Sequence, residues 1–139
     1  MRLFEDVSVG DEIPVRSKVV KREDVKAYAD TSGDQNPLHQ DDDFARVVGF
    51  PGIIAHGMFT MAHLTSAISA WAGGPSALLG IAVQFRAVVF MDEAIEAGGT
   101  IADIDPHTRR ATLNVWVRVH REGVTEYPIK SSSAKVQLA

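Results

Sequence analysis

The segment from Gly57 to Trp71 constrains the fold most, because its residues are apolar or small on every side of the helix that they favour. A helix of this kind cannot face water, and this one is shorter than the roughly 20 residues that a membrane span requires. Gly73, Gly74 and Pro75 follow at once and end the helix. The sequence therefore predicts a helix that is wrapped by the rest of the protein.

Downstream of this helix the sequence changes to a strand-like pattern. Residues 78–90, 94–104, 108–119 and 125–138 are rich in Val, Ile, Thr and aromatic residues, with turn signals at Asp105-Pro106 and Glu122-Gly123. Upstream, residues 13–20 read as a short extended run and residues 22–29 as a short helix. Several strands around one buried helix predict an α+β fold. Without a linker or a repeat, residues 1–139 are expected to form a single domain.

Charge and cysteine content exclude several classes of function. The chain carries 18 acidic against 14 basic residues, and its Lys and Arg form no cluster along one face, so neither nucleic acid nor a membrane is an expected partner. Cysteine is absent, which excludes disulfides, thiolate nucleophiles and thiolate metal sites. With no basic-then-apolar leader at Met1, this composition favours a cytoplasmic location.

Residues 28–40 read Tyr-Ala-Asp-Thr-Ser-Gly-Asp-Gln-Asn-Pro-Leu-His-Gln and contain the best candidate for a functional site. Gly33 frees the backbone and Pro37 disfavours a helix before it, so the segment is expected to fold back and to aim Asp34 and His39 at one point. An acid and a base that converge are what proton transfer requires. The same residue types are also common in turns, and in a simple turn Asp34 would only cap a backbone amide.

A second segment, Ala-His-Gly-Met at residues 55–58, leads from a Pro-Gly loop into the apolar helix. If Gly57 begins that helix, its N–H is among the unpaired donors at the positive end of the helix dipole. A developing oxyanion would be stabilised there.

The two segments together resemble the hydratase-2 signature of the MaoC-like family, in the pattern Tyr-x-x-x-Ser-Gly-Asp-x-Asn-Pro-Leu-His followed by Ala-His-Gly-Met. This family contains (R)-specific enoyl-CoA hydratases and (3R)-hydroxyacyl-ACP dehydratases with a hot-dog fold. The resemblance is weaker elsewhere, although residues 83–90 are similar to the strand that follows the central helix. The family commonly has Pro-Gly-Asp after that strand, whereas Met91, Asp92 and Glu93 stand here, which leaves the form of this turn open.

The resemblance implies a hydro-lyase that adds water reversibly across the trans-2,3 double bond of an acyl thioester. Asp34 and His39 would hold one water, one group taking a proton and the other delivering one, and the sequence does not assign which does which. The Gly57 N–H would polarise the thioester carbonyl. Asn36 would support the loop or the water, and Thr65 could donate a hydrogen bond to Asp34.

Substrate carrier and assembly are also implied by the resemblance. The acyl group would be carried on CoA or on the phosphopantetheine of ACP, with no other cofactor, and neither the carrier nor the chain length can be chosen from the sequence. The chain is similar to the catalytic subunits of mycobacterial-type dehydratases, which pair with a different hot-dog chain. Both a homodimer and a heterodimer with another hot-dog subunit are therefore expected possibilities.

Two other functions share this fold, namely a hot-dog thioesterase and a non-catalytic acyl-binding subunit. A thioesterase would not need the Asn-Pro-Leu-His turn, and a non-catalytic subunit would lose Asp34 or His39. No metal site is predicted, because His56 and His63 have no carboxylate at ligand spacing between them. His56 is expected to order the loop around Gly57, and His63 to be a hydrogen-bonded core residue.

Overall fold

The computed structural model describes all 139 residues and contains three helices and five strands. The helices are α1 (Arg22–Ser32), α2 (Asp42–Val48) and α3 (Gly57–Ala72). The strands are β1 (Glu12–Val19), β2 (Leu78–Phe85), β3 (Ala94–Asp105), β4 (Arg110–Arg121) and β5 (Val124–Gln137). Short 3₁₀ turns lie at Phe4–Asp6, Pro37–His39 and Pro75–Ala77.

The five strands form one antiparallel sheet in the order β1-β3-β4-β5-β2. Strands β3, β4 and β5 follow one another as hairpins, with turns at the two positions that the sequence indicates. Strand β1, which precedes the helices, and strand β2, which follows them, occupy the two edges. The α+β hot-dog prediction is confirmed. None of the helices combines the length and the apolar character required to cross a membrane.

Helix α3 packs on one face of the sheet through the side chains that form the centre of the core. Leu64 and Ile68 are buried almost completely among strand residues of the same cluster. The opposite face of the helix is open, with Met58, Ala62 and Ser66 exposed. The prediction of a helix enclosed on every side is therefore wrong for this face. Small side chains suggest a buried position in the sequence, but they are equally compatible with exposure to solvent.

The strand predicted over residues 78–90 ends earlier, at Phe85. The chain then leaves the sheet and runs along the segment that precedes α3, where Ile54 and Phe90 form an isolated antiparallel bridge and the Ala55 N–H donates to the Val89 carbonyl over 2.9 Å. Residues 87–90 are apolar because this contact buries Val89, not because they continue the strand. They form a wall beside the start of α3.

The turn that departs from the family's Pro-Gly-Asp is closed by Asp92. This residue adopts a φ of 65°, the left-handed conformation that glycine adopts most readily. Its N–H donates to the Val20 carbonyl over 2.7 Å, and its carboxylate lies 2.9 Å from the Lys21 ammonium. A turn that the sequence leaves open is thus formed with an aspartate, which tolerates this conformation better than most residues.

We expect Asp92→Ala to lower the free energy of unfolding by about 1 kcal/mol more than Asp92→Gly, because both variants lose the ion pair but only alanine opposes the left-handed backbone. Urea titrations of the two variants measure this difference. Lys21→Met is the matched control, since it removes the exposed ion pair and leaves the backbone unchanged. Equal stability of the two Asp92 variants would contradict the assignment of strain to this turn.

Candidate active site

The loop that carries Asp34 begins where Gly33 ends α1 in the left-handed conformation, with a φ of 81°. The Asp34 N–H donates to the Ser32 hydroxyl over 3.2 Å, and its carboxylate accepts from the Asn36 N–H over 3.2 Å. The Asn36 side chain in turn accepts from the Leu38 N–H over 3.0 Å and caps the following 3₁₀ turn. Asn36 therefore supports the loop, one of the two roles predicted for it.

The proton on the His39 ring is located by its hydrogen bond to the backbone. Nδ1 lies 2.7 Å from the Ile54 carbonyl oxygen. Because a carbonyl can only accept, Nδ1 carries the hydrogen and Nε2 of the neutral ring is left with a free lone pair. The half-buried His39 is thereby oriented as a proton acceptor.

His56 connects the two candidate catalytic residues. It is 2% exposed, its Nε2–H donates to the Asp34 carbonyl over 3.1 Å, and its ring stacks on that of His39 with centroids 3.8 Å apart. Burial lowers the pKa of His56, which keeps its ring neutral beside His39. The sequence predicts that His56 orders the loop around Gly57, and the structure extends that role to both Asp34 and His39.

Side-chain donor atoms of Asp34, His39 and His56 all lie within 4.8 Å of one another. Such a group could in principle bind a metal ion. The two imidazoles are stacked, however, with centroids 3.8 Å apart and only 26° between their planes, so their lone pairs lie in separate, nearly parallel planes, which is poor geometry for binding one ion. One nitrogen of each ring is also bonded to a backbone carbonyl. The arrangement is suited to hydrogen bonding and proton transfer.

Helix α3 begins at Gly57, as predicted. The Gly57 N–H occupies the first helical position, where the helix offers it no carbonyl partner. Gly57 and His39 line one cavity of about 150 Å³, together with Thr60 and the apolar side chains around them. The Phe85 ring covers Gly57 so closely that a β-carbon there would lie 3.3 Å from it. His39 and Gly57 therefore line the same small cavity, while Asp34 is exposed beside it.

The structure does not form the predicted hydrogen bond from Thr65 to Asp34. The Thr65 hydroxyl donates to the Ala62 carbonyl of its own helix over 2.9 Å, as hydroxyls within helices commonly do. Thr60 is the residue that sequence reasoning missed, since it is 3% exposed and lines the cavity. Its position three residues after Gly57 places it on the same helix face, which is the signal that could have identified it.

A long helix on one face of an antiparallel sheet defines a hot-dog domain. The start of that helix, with its free N–H, shares a cavity with an imidazole, and this site is equipped for proton transfer. The family model described as "MaoC like domain" matches residues 5–122. This chain belongs to the MaoC-like family.

Its relatives include hydratases and dehydratases. The chain is 32% identical over 124 residues to a 3-hydroxybutyryl-CoA dehydratase of Methylorubrum extorquens. The aligned region covers 88% of this chain and 78% of the relative. It is 26% identical over 127 residues to an (R)-specific enoyl-CoA hydratase of Rhodospirillum rubrum, and this aligned region covers 91% of this chain and 88% of the relative. Both names describe hydro-lyase chemistry on acyl thioesters.

Solved structures agree on the fold. An (R)-hydratase from A. caviae involved in PHA biosynthesis superposes with a TM-score of 0.86 at 25% identity, over 97% of this chain and 99% of that one. A MaoC-like dehydratase superposes with a TM-score of 0.90 at 35% identity, over 99% of this chain but only 42% of the other. The present chain thus spans less than half the length of that dehydratase.

We expect the stability of the fold to fall between pH 7 and pH 5, because burial lowers the pKa of both His56 and His63 from the ordinary value of about 6.5. The unfolded chain then binds protons that the folded chain does not, at up to about 1.4 kcal/mol per pH unit for each ring. Urea titrations at pH 7, 6 and 5 measure the slope. His63→Gln should reduce it, since this ring is buried and its Nε2–H donates to the Arg16 carbonyl.

His107→Gln is the control, since His107 lies in an exposed turn and its loss should leave the slope unchanged. Carboxyl groups with a lowered pKa, such as Glu96 beside Arg118, lose their contribution only as the pH falls below about 4.5, outside this window. A stability that is constant from pH 7 to pH 5 would contradict the neutral, buried state of both rings.

Proposed function

We propose that this chain catalyses the reversible addition of water to a trans-2-enoyl thioester, giving the (3R)-hydroxyacyl thioester. The observation that carries the proposal is the fixed tautomer of His39, which presents a free Nε2 lone pair next to the Asp34 carboxylate and in one cavity with the Gly57 N–H. The hydratases and dehydratases among its relatives support the same reaction class.

The tautomer of His39 supports an assignment that the sequence leaves open. His39 Nε2 takes a proton from the water as the water oxygen bonds to C3 of the substrate. The Asp34 carboxylate accepts a hydrogen bond from the second hydrogen of that water, which stays on the oxygen, and so orients the water. The imidazolium Nε2–H then returns the proton to C2, so that one molecule of water has been added and both catalytic groups regain their starting state. Because both groups lie on one side of the substrate, the addition is syn.

Negative charge builds on the thioester oxygen during this reaction. The Gly57 N–H, at the positive end of α3, is the donor that stabilises it. A single oxyanion donor of this kind contributes about 3 kcal/mol to the transition state. The Phe85 ring packs against Gly57, on the backbone that carries this donor.

We expect Asp34→Asn and His39→Gln each to reduce the hydration rate by about 10²- to 10⁴-fold without loss of fold, because His39→Gln removes the proton acceptor and Asp34→Asn removes the carboxylate that orients the water. The loss of enoyl-thioester absorbance with crotonyl-CoA measures the rate. Thr65→Val is the matched control and should keep full activity, since its hydroxyl bonds only within its own helix.

Other outcomes of this assay identify the competing functions. Release of free CoA thiol without formation of a hydroxyacyl product would indicate a thioesterase. Binding of crotonyl-CoA without turnover, unchanged in Asp34→Asn, would indicate a non-catalytic acyl-binding subunit. Either result would overturn the proposed hydratase.

The carrier and the partner belong to the same proposal. The substrate is an acyl group on CoA or on the phosphopantetheine of ACP, and the reaction takes place in the cytoplasm. We further propose that β2 pairs with a second hot-dog chain, because this edge strand contains no charged residue and leaves Leu79 45% and Phe85 50% exposed. The opposite edge, β1, carries Glu12, Arg16 and Lys18, which oppose such pairing.

We expect the wild-type chain to form a homodimer and Ala82→Lys, at an exposed position in the middle of β2, to convert it to a monomer. Light scattering coupled to size-exclusion chromatography measures the mass. Val15→Lys introduces the same charge on β1, where Val15 is 47% exposed, and should leave the dimer intact. A wild-type chain that is monomeric alone but forms a complex with a different hot-dog chain would establish the heterodimer instead.

A further inference from the structure

The cavity that contains His39 and Gly57 is small and mostly apolar. Its volume is about 150 Å³, and six of its ten lining residues are hydrophobic. Ligand pockets commonly span about 300–1,000 Å³, whereas an apolar cavity of roughly 150 Å³ is filled by a molecule the size of benzene. The amides of a phosphopantetheine arm would find few partners here, so the cavity is suited to the acyl chain. It has room for about six carbons.

One wall of this cavity is the segment 88–90, which leaves the sheet after β2. Val88 and Val89 line the cavity, and Val89 is 2% exposed. The segment is also bonded to the residues before α3, through the Ala55 N–H to the Val89 carbonyl and through the bridge between Ile54 and Phe90. The wall is therefore attached to the same backbone that orients His39.

A partly buried ion pair, which does not itself line the cavity, holds this wall in place. Arg121, at the end of β4, contacts both carboxylate oxygens of Glu93 and also donates to the Val88 carbonyl. Glu93 accepts from the Phe90 N–H over 2.7 Å, and the Arg121 guanidinium lies 4.5 Å from the centre of the Phe90 ring. The two side chains are only 18% and 16% exposed. The pair thus fixes the backbone at both ends of the segment 88–90.

We propose that the Arg121–Glu93 pair sets the acyl-length limit of this enzyme, by fixing segment 88–90 so that only acyl chains of about four to six carbons fit. The inference rests on the proposed hydratase function and adds its substrate range. A longer chain must displace Val88 or Val89 and so disturb the contacts that Arg121 and Glu93 make with this segment. Arg121 also contacts Glu126, so separating the pair would leave the Glu93 carboxylate, which is 16% exposed, without its cation. That loss is costly, so the wall does not yield to the substrate.

The test compares kcat/KM for trans-2-enoyl-CoA substrates of four, six, eight and ten carbons. For the wild-type chain we expect comparable values at four and six carbons and a fall of about tenfold or more at eight, since one or two methylenes that do not fit cost at least this much. Arg121→Met and Glu93→Gln should raise the ratio of the eight-carbon to the four-carbon value by about tenfold, with the four-carbon value nearly unchanged.

Arg118→Met is the matched control. Arg118 lies on the same strand and forms an ion pair with Glu96 at 30% and 24% exposure, but neither residue bonds to the segment 88–90. Its loss should leave the chain-length ratio as in the wild type, which separates a loosened wall from general destabilisation. Val89→Ala shortens the wall directly and should raise the same ratio, so the test stands even if the Arg121 variant does not fold.

The outcomes separate the two proposals. Hydration of four- to ten-carbon substrates with equal kcat/KM would overturn the length limit and leave the hydratase intact. A cutoff that neither Arg121→Met nor Glu93→Gln shifts, although Val89→Ala does, would overturn the role of the ion pair. Absence of hydration at every length would overturn the proposed function and the length limit with it.

Discussion

The packing of α3 on the sheet is the interaction on which the rest of this structure depends. Leu64 and Ile68 anchor the helix, and burial of each such side chain contributes about 1.5–3 kcal/mol. This packing fixes the position and direction of the helix start, and so the direction of the Gly57 N–H. The helix dipole then supplies the positive end of the site without any charged side chain.

The proposed catalytic pair lies on a loop, which the core alone would not hold in place. Asp34 and His39 are ordered by short-range bonds within the loop and by His56, whose backbone belongs to the start of α3. One ring thus contacts the acid through its carbonyl and the base through stacking. A neutral imidazole suits this position, because a second positive charge would oppose protonation of His39 during the reaction.

Much of this architecture could be predicted from local patterns in the sequence. Gly57 starts the central helix as expected, and Gly33 gives Asp34 its turn, because caps and turns depend on a few neighbouring residues. The contacts that complete the site could not be predicted. The bond from His56 to Asp34 joins residues 22 apart, and no local pattern reports a contact over that separation. The early end of β2 has the same origin, since a buried loop and a strand share an apolar composition.

Phe85 belongs to two environments at once. Its ring packs against Gly57 and lines the cavity. Phe85 is also the last residue of the edge strand β2, where it is half exposed. A chain docked on β2, as proposed, would restrict the same ring that the proposed thioester substrate would touch. Binding of substrate and association of subunits would then be coupled through one side chain, and by reciprocity each would change the free energy of the other by the same amount. The enzyme's affinity for its substrate would thus vary with its own concentration.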